Sequence, residues 1–266
     1  MDRGEAILRE LNIYPLWKRR EQSVPGKVQE PIAGHLTEPS APTILEAVPQ
    51  DEAVVFRKPG FGKSGFGKSG QSESELGNLN WSELKQQVTG CTACKLRAGC
   101  TQTVFGVGDE KADWLFVGEG PGADEDVQGE PFVGQAGKLL DSMLAAIKLK
   151  RGKNVYIANI VKCRPPNNRT PAADEIVQCL PYLHRQIELI QPKLIVALGK
   201  VASNTLLGQE ATLTSLRSAQ HDYRGIPLIV TYHPAYLLRS PTEKAKAWQD
   251  LCFAVKVMAQ VIDKNA

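Results

Sequence analysis

The stretch NVYIANIVKCRPPNNRTPAADEIVQC, residues 154–179, decides the fold. It opens on a short apolar run rich in β-formers. A proline-rich, arginine-flanked loop follows, and then a segment with helical spacing of its apolar residues. That segment carries Thr170 as a candidate cap, Pro171 in the first turn and acids that suit the positive end of a helix. Strand, loop and helix in this order form a half-unit of a parallel sheet.

Working outward, the same texture repeats. DWLFVG (113–118), KLIVALG (193–199) and IPLIVTY (226–232) are strand-sized apolar runs, which makes four buried parallel strands with NVYIAN (154–159). Helical patterns lie between and after them: GQAGKLLDSMLAAI, TPAADEIVQCLPYLHRQIELI, KVASNTLL and EKAKAWQDLCFAVKVMAQVI. The expected class is α/β, a four-stranded parallel sheet covered on both faces. Ligands of such sheets bind beyond the carboxyl ends of the strands. Three of those ends are glycine-rich, proline-rich or polar: GEGPGADEDVQGEPFVG after the first strand, IVKCRPPNNR after the second and YHPAYLLRSP after the fourth. They define a candidate site by position.

The chain of 266 residues carries a net charge of +3, too weak by itself to indicate a nucleic-acid partner. No apolar run approaches the roughly 18 residues of a membrane span, and MDRGEAILRE lacks a signal-peptide core. The expectation is a cytoplasmic protein, not a membrane one. Residues 1–20 read as a short helix or partner-binding peptide. Residues 21–76, rich in Pro, Gly, Ser and charge, read as a flexible linker. The domain is expected over 77–266. The repeated FGKSG (61–70) resembles a phosphate loop only superficially, without the strand before it and the helix after it that such a loop needs.

Gly118, Gly120 and Ala123 match a G-x-G-x-x-A dinucleotide turn, but three features oppose that use. Pro121 lacks an amide donor, Asp124–Asp126 put negative charge where a phosphate would sit, and no helical pattern starts before about Gln135. A tight loop that lets a flat ligand approach the backbone fits better, with Phe132 either packed in the core or stacked on a base. The cysteines of CTAC (Cys91, Cys94) and those of the opening stretch (Cys163, Cys179) leave a disulfide, a zinc site and an iron–sulfur cluster open. A reducing compartment favours metal over disulfides.

In their order and spacing, GEGPGADED…GEPFVGQAG, NIVKCRPPNNR and HPAYLL resemble the type 4 uracil-DNA glycosylases, from about Cys91 to the C-terminus. The resemblance implies a three-layer α/β/α sandwich and a [4Fe–4S] cluster on Cys91, Cys94, Cys163 and Cys179. Cys100 is not counted among the ligands, and Cys252 is expected in the core. It implies a DNA repair enzyme that flips uracil from DNA and hydrolyses the bond to its sugar. Asn159 would read the base edge, Phe132 would stack beneath it and Gly120 would line the pocket. The segment from Gly122 to Glu125 would exclude the thymine methyl. His233 would donate to the departing base, and Glu119, Glu125 or Asn168 would guide the water. Arg164, Arg169 and Arg239 are candidate phosphate contacts, and Leu237 a candidate wedge. The N-terminal segment is a candidate contact for a replication or repair protein, and the protein is expected to be a monomer. Competing expectations are a non-enzymatic iron–sulfur DNA-binding or polymerase-associated module, an electron-transfer protein, and a glycosylase for other damaged bases.

Overall fold

The computed structural model describes residues 76–265. The expectations for 1–20 and 21–76, with the FGKSG repeat, fall outside the described residues save for Leu76, which is buried in the core. The described chain runs α1 (Trp81–Thr89), α2 (Leu96–Gly99), β1 (Val107–Gly108), β2 (Trp114–Gly118), α3 (Ala123–Gln128) and α4 (Gln135–Ala146). Then come β3 (Val155–Asn159), α5 (Ala173–Ile190), β4 (Leu194–Leu198), α6 (Lys200–Leu207) and α7 (Leu213–Leu216). The chain ends with β5 (Gln220–Tyr223), β6 (Ile226–Thr231), α8 (Pro234–Arg239) and α9 (Lys244–Asn265).

The strands form one sheet in the order β1-β3-β2-β4-β6-β5. The four expected strands are its centre and pair in parallel: β2 with β3 and β4, and β4 with β6. Two antiparallel edge strands were not expected. β1 is only two residues long, and β5, with sequence QHDY, has no apolar run to signal it.

Side-chain alternation along the strands builds the layers. Leu115, Val117, Ile195, Ala197, Leu228 and Val230 point to one face and pack under α1, α5 and α6. Their neighbours Phe116, Leu194, Val196, Leu198 and Ile229 point to the other and pack under α4, α8 and α9. The result is a three-layer α/β/α sandwich. Because β2 has β3 on one side and β4 on the other, the chain changes direction across the sheet at β2. Crevices open at such switch points.

Two local expectations are corrected. A helix, α3, begins at Ala123, well before Gln135, built on acids that suit its first turn. Helix α5 begins at Ala173 with Ala172 at its cap, not Thr170, because the Glu175 carboxylate accepts the Ala172 amide at 2.8 Å. Among the described residues no helix is long and apolar enough to cross a membrane.

A buried ion pair ties α9 to the sheet. Asp250 accepts from Arg217 Nε at 2.7 Å and Nη2 at 2.9 Å, and from Thr231 Oγ1 at 2.8 Å. Both side chains are under 10% exposed. Removing one partner strands a buried charge, which costs about 3–5 kcal/mol. Asp250→Ala should therefore lower the urea midpoint by that much stability with an unchanged m-value. A loss below about 1 kcal/mol would show that Arg217 finds another partner or water.

Candidate active site and thiol-lined cavity

A cavity of about 820 Å³ opens at the carboxyl ends of β2, β3, β4 and β6. Its deep end is made by the residues that close three of these strands. Asn159 is the last residue of β3 and only 2% exposed. Its backbone is fixed by sheet pairing opposite Gly118, and its Oδ1 is buried without a hydrogen-bond partner among the described residues. An orphaned acceptor of this kind costs about 1–3 kcal/mol, so it points to a ligand that supplies the missing donor.

Gly118 makes room for this side chain. A Cβ there would lie 2.5 Å from Asn159 Oδ1 and 2.5 Å from Phe132 Cζ. Phe132 adopts a left-handed backbone (φ 56°), a strained choice for a bulky residue. Two groups hold it there. Arg151 donates to the carbonyls of Pro131 (2.8 Å) and Phe132 (2.7 Å), and Asp141 accepts from the same guanidinium at 2.9 Å. From the other side, the Glu125 carboxylate accepts the amides of Val133 (2.9 Å) and Gly134 (3.1 Å), and that of Gly122 (3.0 Å). Gly137 lets α4 approach closely, since a Cβ there would collide with the Phe132 carbonyl. Sequence reading missed Arg151, because a lone arginine after a helix carries no signal of what it will clamp.

His233 caps α8, its Nδ1 accepting the Ala235 amide at 3.2 Å. Its ring lies 5.4 Å from that of Phe132, tilted by 33°. Burial, with Arg239 nearby, pushes its pKa down to about 4, and Glu125 opposes the shift. The ring is therefore neutral at pH 7. With Nδ1 accepting, the proton of the neutral ring sits on Nε2, which leaves an uncharged N–H donor for the cavity. Glu119 lines the same cavity, and burial raises its carboxyl above the usual range against an opposing hydrogen bond from the Thr170 side chain. Gly120 and Asn168 are also in the wall.

Several sequence expectations meet different geometry. With three amides on its carboxylate, Glu125 braces the loop, and it also lines the cavity. Arg169 is committed to Glu175 through two hydrogen bonds of 2.8 and 2.6 Å. Arg164 Nε donates to Asn168 Oδ1 at 2.8 Å. Both arginines order the loop after β3. Leu237 is corrected outright as a wedge. It is 1% exposed and packed in the core beneath the sheet, because α8 turns it inward, while Leu238 is 44% exposed. Arg239 is exposed on the cavity rim.

On the other side of β3, Cys91, Cys94, Cys163 and Cys179 line a second, narrow and largely enclosed cavity of about 10 Å³. Cys100 is not in that lining. It lies beside Cys163, to which it hydrogen-bonds, and interacts with Arg97. Burial pushes the Cys179 thiol up to about 12, although Lys162 opposes this and its amide donates to the sulfur at 3.2 Å. Lys162 is itself 1% exposed, and its ammonium reaches only neutral acceptors, the Asn159 carbonyl (3.0 Å) and Gln186 Oε1 (2.6 Å). Among the described residues no three His, Cys, Asp or Glu side chains converge closely enough to hold one metal ion. Cys252 is partly buried on α9.

The chemistry available is therefore specific. A planar ring can lie against Phe132, present an N–H to Asn159 Oδ1, and leave with its developing negative charge stabilised by a neutral imidazole N–H.

Comparisons with known proteins agree in kind. The model of the Uracil DNA glycosylase superfamily matches residues 105–252. A Type-4 uracil-DNA glycosylase of Archaeoglobus fulgidus is 43% identical over 167 residues, 60% of this chain and 83% of that protein. One of Sulfurisphaera tokodaii is 45% identical over 167 residues, 60% of this chain and 76% of that protein. One of Thermotoga maritima is 43% identical over 165 residues, 61% of this chain and 85% of that protein.

The His233 environment fixes a pH dependence. Its folded pKa lies below the ordinary value of 6.5, so the unfolded chain takes up this proton first. This histidine's contribution should lower stability as pH falls from about 6.5 to about 4, with no effect above. In an NMR titration the His233 imidazole should titrate near 4. An imidazole that titrates well above pH 7 would remove the neutral-donor assignment.

Proposed function

The chain belongs to the uracil-DNA glycosylase superfamily, alongside its type 4 members, and from that membership we propose how its own residues act. It is a DNA repair enzyme that excises uracil from DNA by hydrolysing the N-glycosidic bond. The observation that carries the reading is the buried, unpartnered Asn159 Oδ1, aimed into a cavity that also holds the Phe132 ring and a neutral His233.

Uracil leaves the base stack, which costs a few kcal/mol, and slides against Phe132. Its N3–H donates to Asn159 Oδ1, and its O4 accepts from the carboxamide nitrogen. Cytosine presents the reverse order at these positions, and the mismatch leaves buried groups unpaired, a large penalty. As the bond between the sugar carbon and the base nitrogen stretches, the electron pair goes to the base. His233 Nε2–H donates to the oxygen that gathers this charge. Water adds to the sugar carbon and loses a proton, leaving an abasic site and free uracil. Glu119 is the group proposed to position that water, since Glu125 and Asn168 are engaged elsewhere in the wall. The Gly120–Gly122 backbone lines the same cavity and is proposed to face the base edge that distinguishes thymine. Arg239 is the proposed phosphate contact.

Cys91, Cys94, Cys163 and Cys179 are proposed to hold a [4Fe–4S] cluster. The donor set fits: four thiols around one apolar, largely enclosed cavity suit a polynuclear cluster better than a single tetrahedral ion. Lys162, a buried cation with neutral partners only, supplies a counter-charge to four thiolates. Such a cluster would cross-link the segment before β1, the end of β3 and α5, and add electrostatic fixation without entering bond cleavage.

Purified, iron-loaded protein incubated with a strand carrying one uracil should yield an alkali-labile site at that uracil alone. His233→Ala should lower kcat by on the order of 10²–10³-fold with little change in KM. No release by the iron-loaded protein would overturn the enzyme reading, and release of hypoxanthine would widen the substrate class. Separately, Cys163→Ala should lose iron and visible absorption, whereas Cys100→Ser should keep both. Iron loss from the Cys100 variant would reassign a ligand.

A further inference from the structure

The cavity does not end at the uracil subsite. It runs on past His233 to a wall that carries Lys200, Leu213, Tyr232, Tyr236 and Arg239. At about 820 Å³ it lies toward the upper end of the range for small-molecule sites, and one pyrimidine ring fills only a fraction of it.

The far wall is built as a ladder. The Arg217 guanidinium lies 4.5 Å over the Tyr232 ring. The Tyr232 ring in turn stacks on that of Tyr236 at 5.3 Å and 15°. The lower rungs are fixed, because Arg217 is locked to Asp250 and also donates to the Tyr232 hydroxyl at 3.3 Å. The top rung is open, with Tyr236 39% exposed. Arg239 follows three residues later on α8, the spacing that puts two side chains side by side on a helix. It is exposed and makes no hydrogen bond or ion pair among the described residues. An ordered aromatic ring beside an uncommitted guanidinium has the two parts that grip one nucleotide of a single strand, a stacking surface and a phosphate contact.

We propose that Tyr236 and Arg239 form a second nucleotide subsite. Tyr236 stacks the base, and Arg239 holds the phosphate, of a nucleotide next to the flipped uracil on the same strand. This rests on the glycosylase reading for which nucleotide lies in the deep end. His233 at the start of α8 faces the departing base, and the last turn of the same short helix holds its neighbour. A base can lie on Tyr236 only when it is unpaired, so the subsite favours a strand open at both positions.

The test uses the full chain and a single strand with a hydrolysis-resistant 2′-fluoro-deoxyuridine. The fluorescent base 2-aminopurine is placed on its 5′ side in one strand and its 3′ side in another. Binding of the unchanged protein should alter the fluorescence of one of the two strands. Tyr236→Leu should abolish that change and weaken binding of that strand about tenfold, toward the lower end of what base–aromatic stacking contributes. Tyr236→Phe should behave like the unchanged protein. When an abasic spacer replaces the 2-aminopurine, the unchanged protein and Tyr236→Leu should bind equally. A fluorescence change in neither strand, or the same affinity loss with the spacer, overturns the proposal. Uracil release from an ordinary strand, assayed in parallel, fails only if the glycosylase reading fails.

Discussion

A lysine ammonium held out of water joins the two ends of this protein's chemistry. Lys162 lies three residues past Asn159 and one before Cys163, and its Nζ bonds the Asn159 carbonyl and Gln186 Oε1. Gln186 passes the connection to the Phe105 carbonyl at 2.9 Å. A charge in such a place is costly unless its donors are satisfied and a counter-charge is near. The end of β3 therefore cannot shift without exposing that cost. One short segment sets the Asn159 amide at the deep end of one cavity and Cys163 in the lining of the other. Its own amide on the Cys179 sulfur makes the link covalent in sequence and polar in space.

The deep end of the cavity is prepared before any ligand arrives. Phe132 would relax from its left-handed backbone if left alone, and Arg151 and Glu125 prevent it from opposite sides. Gly118 and Gly137 remove the side chains that would otherwise occupy the same space. Strain of this sort persists only where surroundings over-determine it, and it concentrates at functional sites. The neutral state of His233 follows the same logic. Burial, with Arg239 nearby, keeps it uncharged, so its N–H can stabilise an anion without first attracting one in the ground state.

The central strands and the residues at their ends were legible in the sequence because a strand buried on both faces is a continuous apolar run, and the first polar residues after it mark its end. Asn159 and His233 stand at such stops, and Phe132 lies in the loop that one of them feeds. What was not legible depended on where long side chains turn. Glu125 bends back onto three amides, Arg169 reaches Glu175 six residues on, and Arg151 clamps a loop about twenty residues earlier. Leu237 and Leu238 differ only in helix phase, and a six-residue helix after a strand gives too few turns to read that phase. β5 hid for another reason: His221 and Asp222 lie in an edge strand that carries no continuous apolar run.

That polar edge has a further meaning. A parallel sheet of four apolar strands would, if left bare, offer two rows of unpaired amides and carbonyls to any neighbouring chain. Here one border is a two-residue strand and the other carries exposed Gln220 and Asp222. Neither border gives a second copy a long flat surface on which to continue the sheet. The same residues that add nothing to the cavity thus make both edges poor templates for another strand.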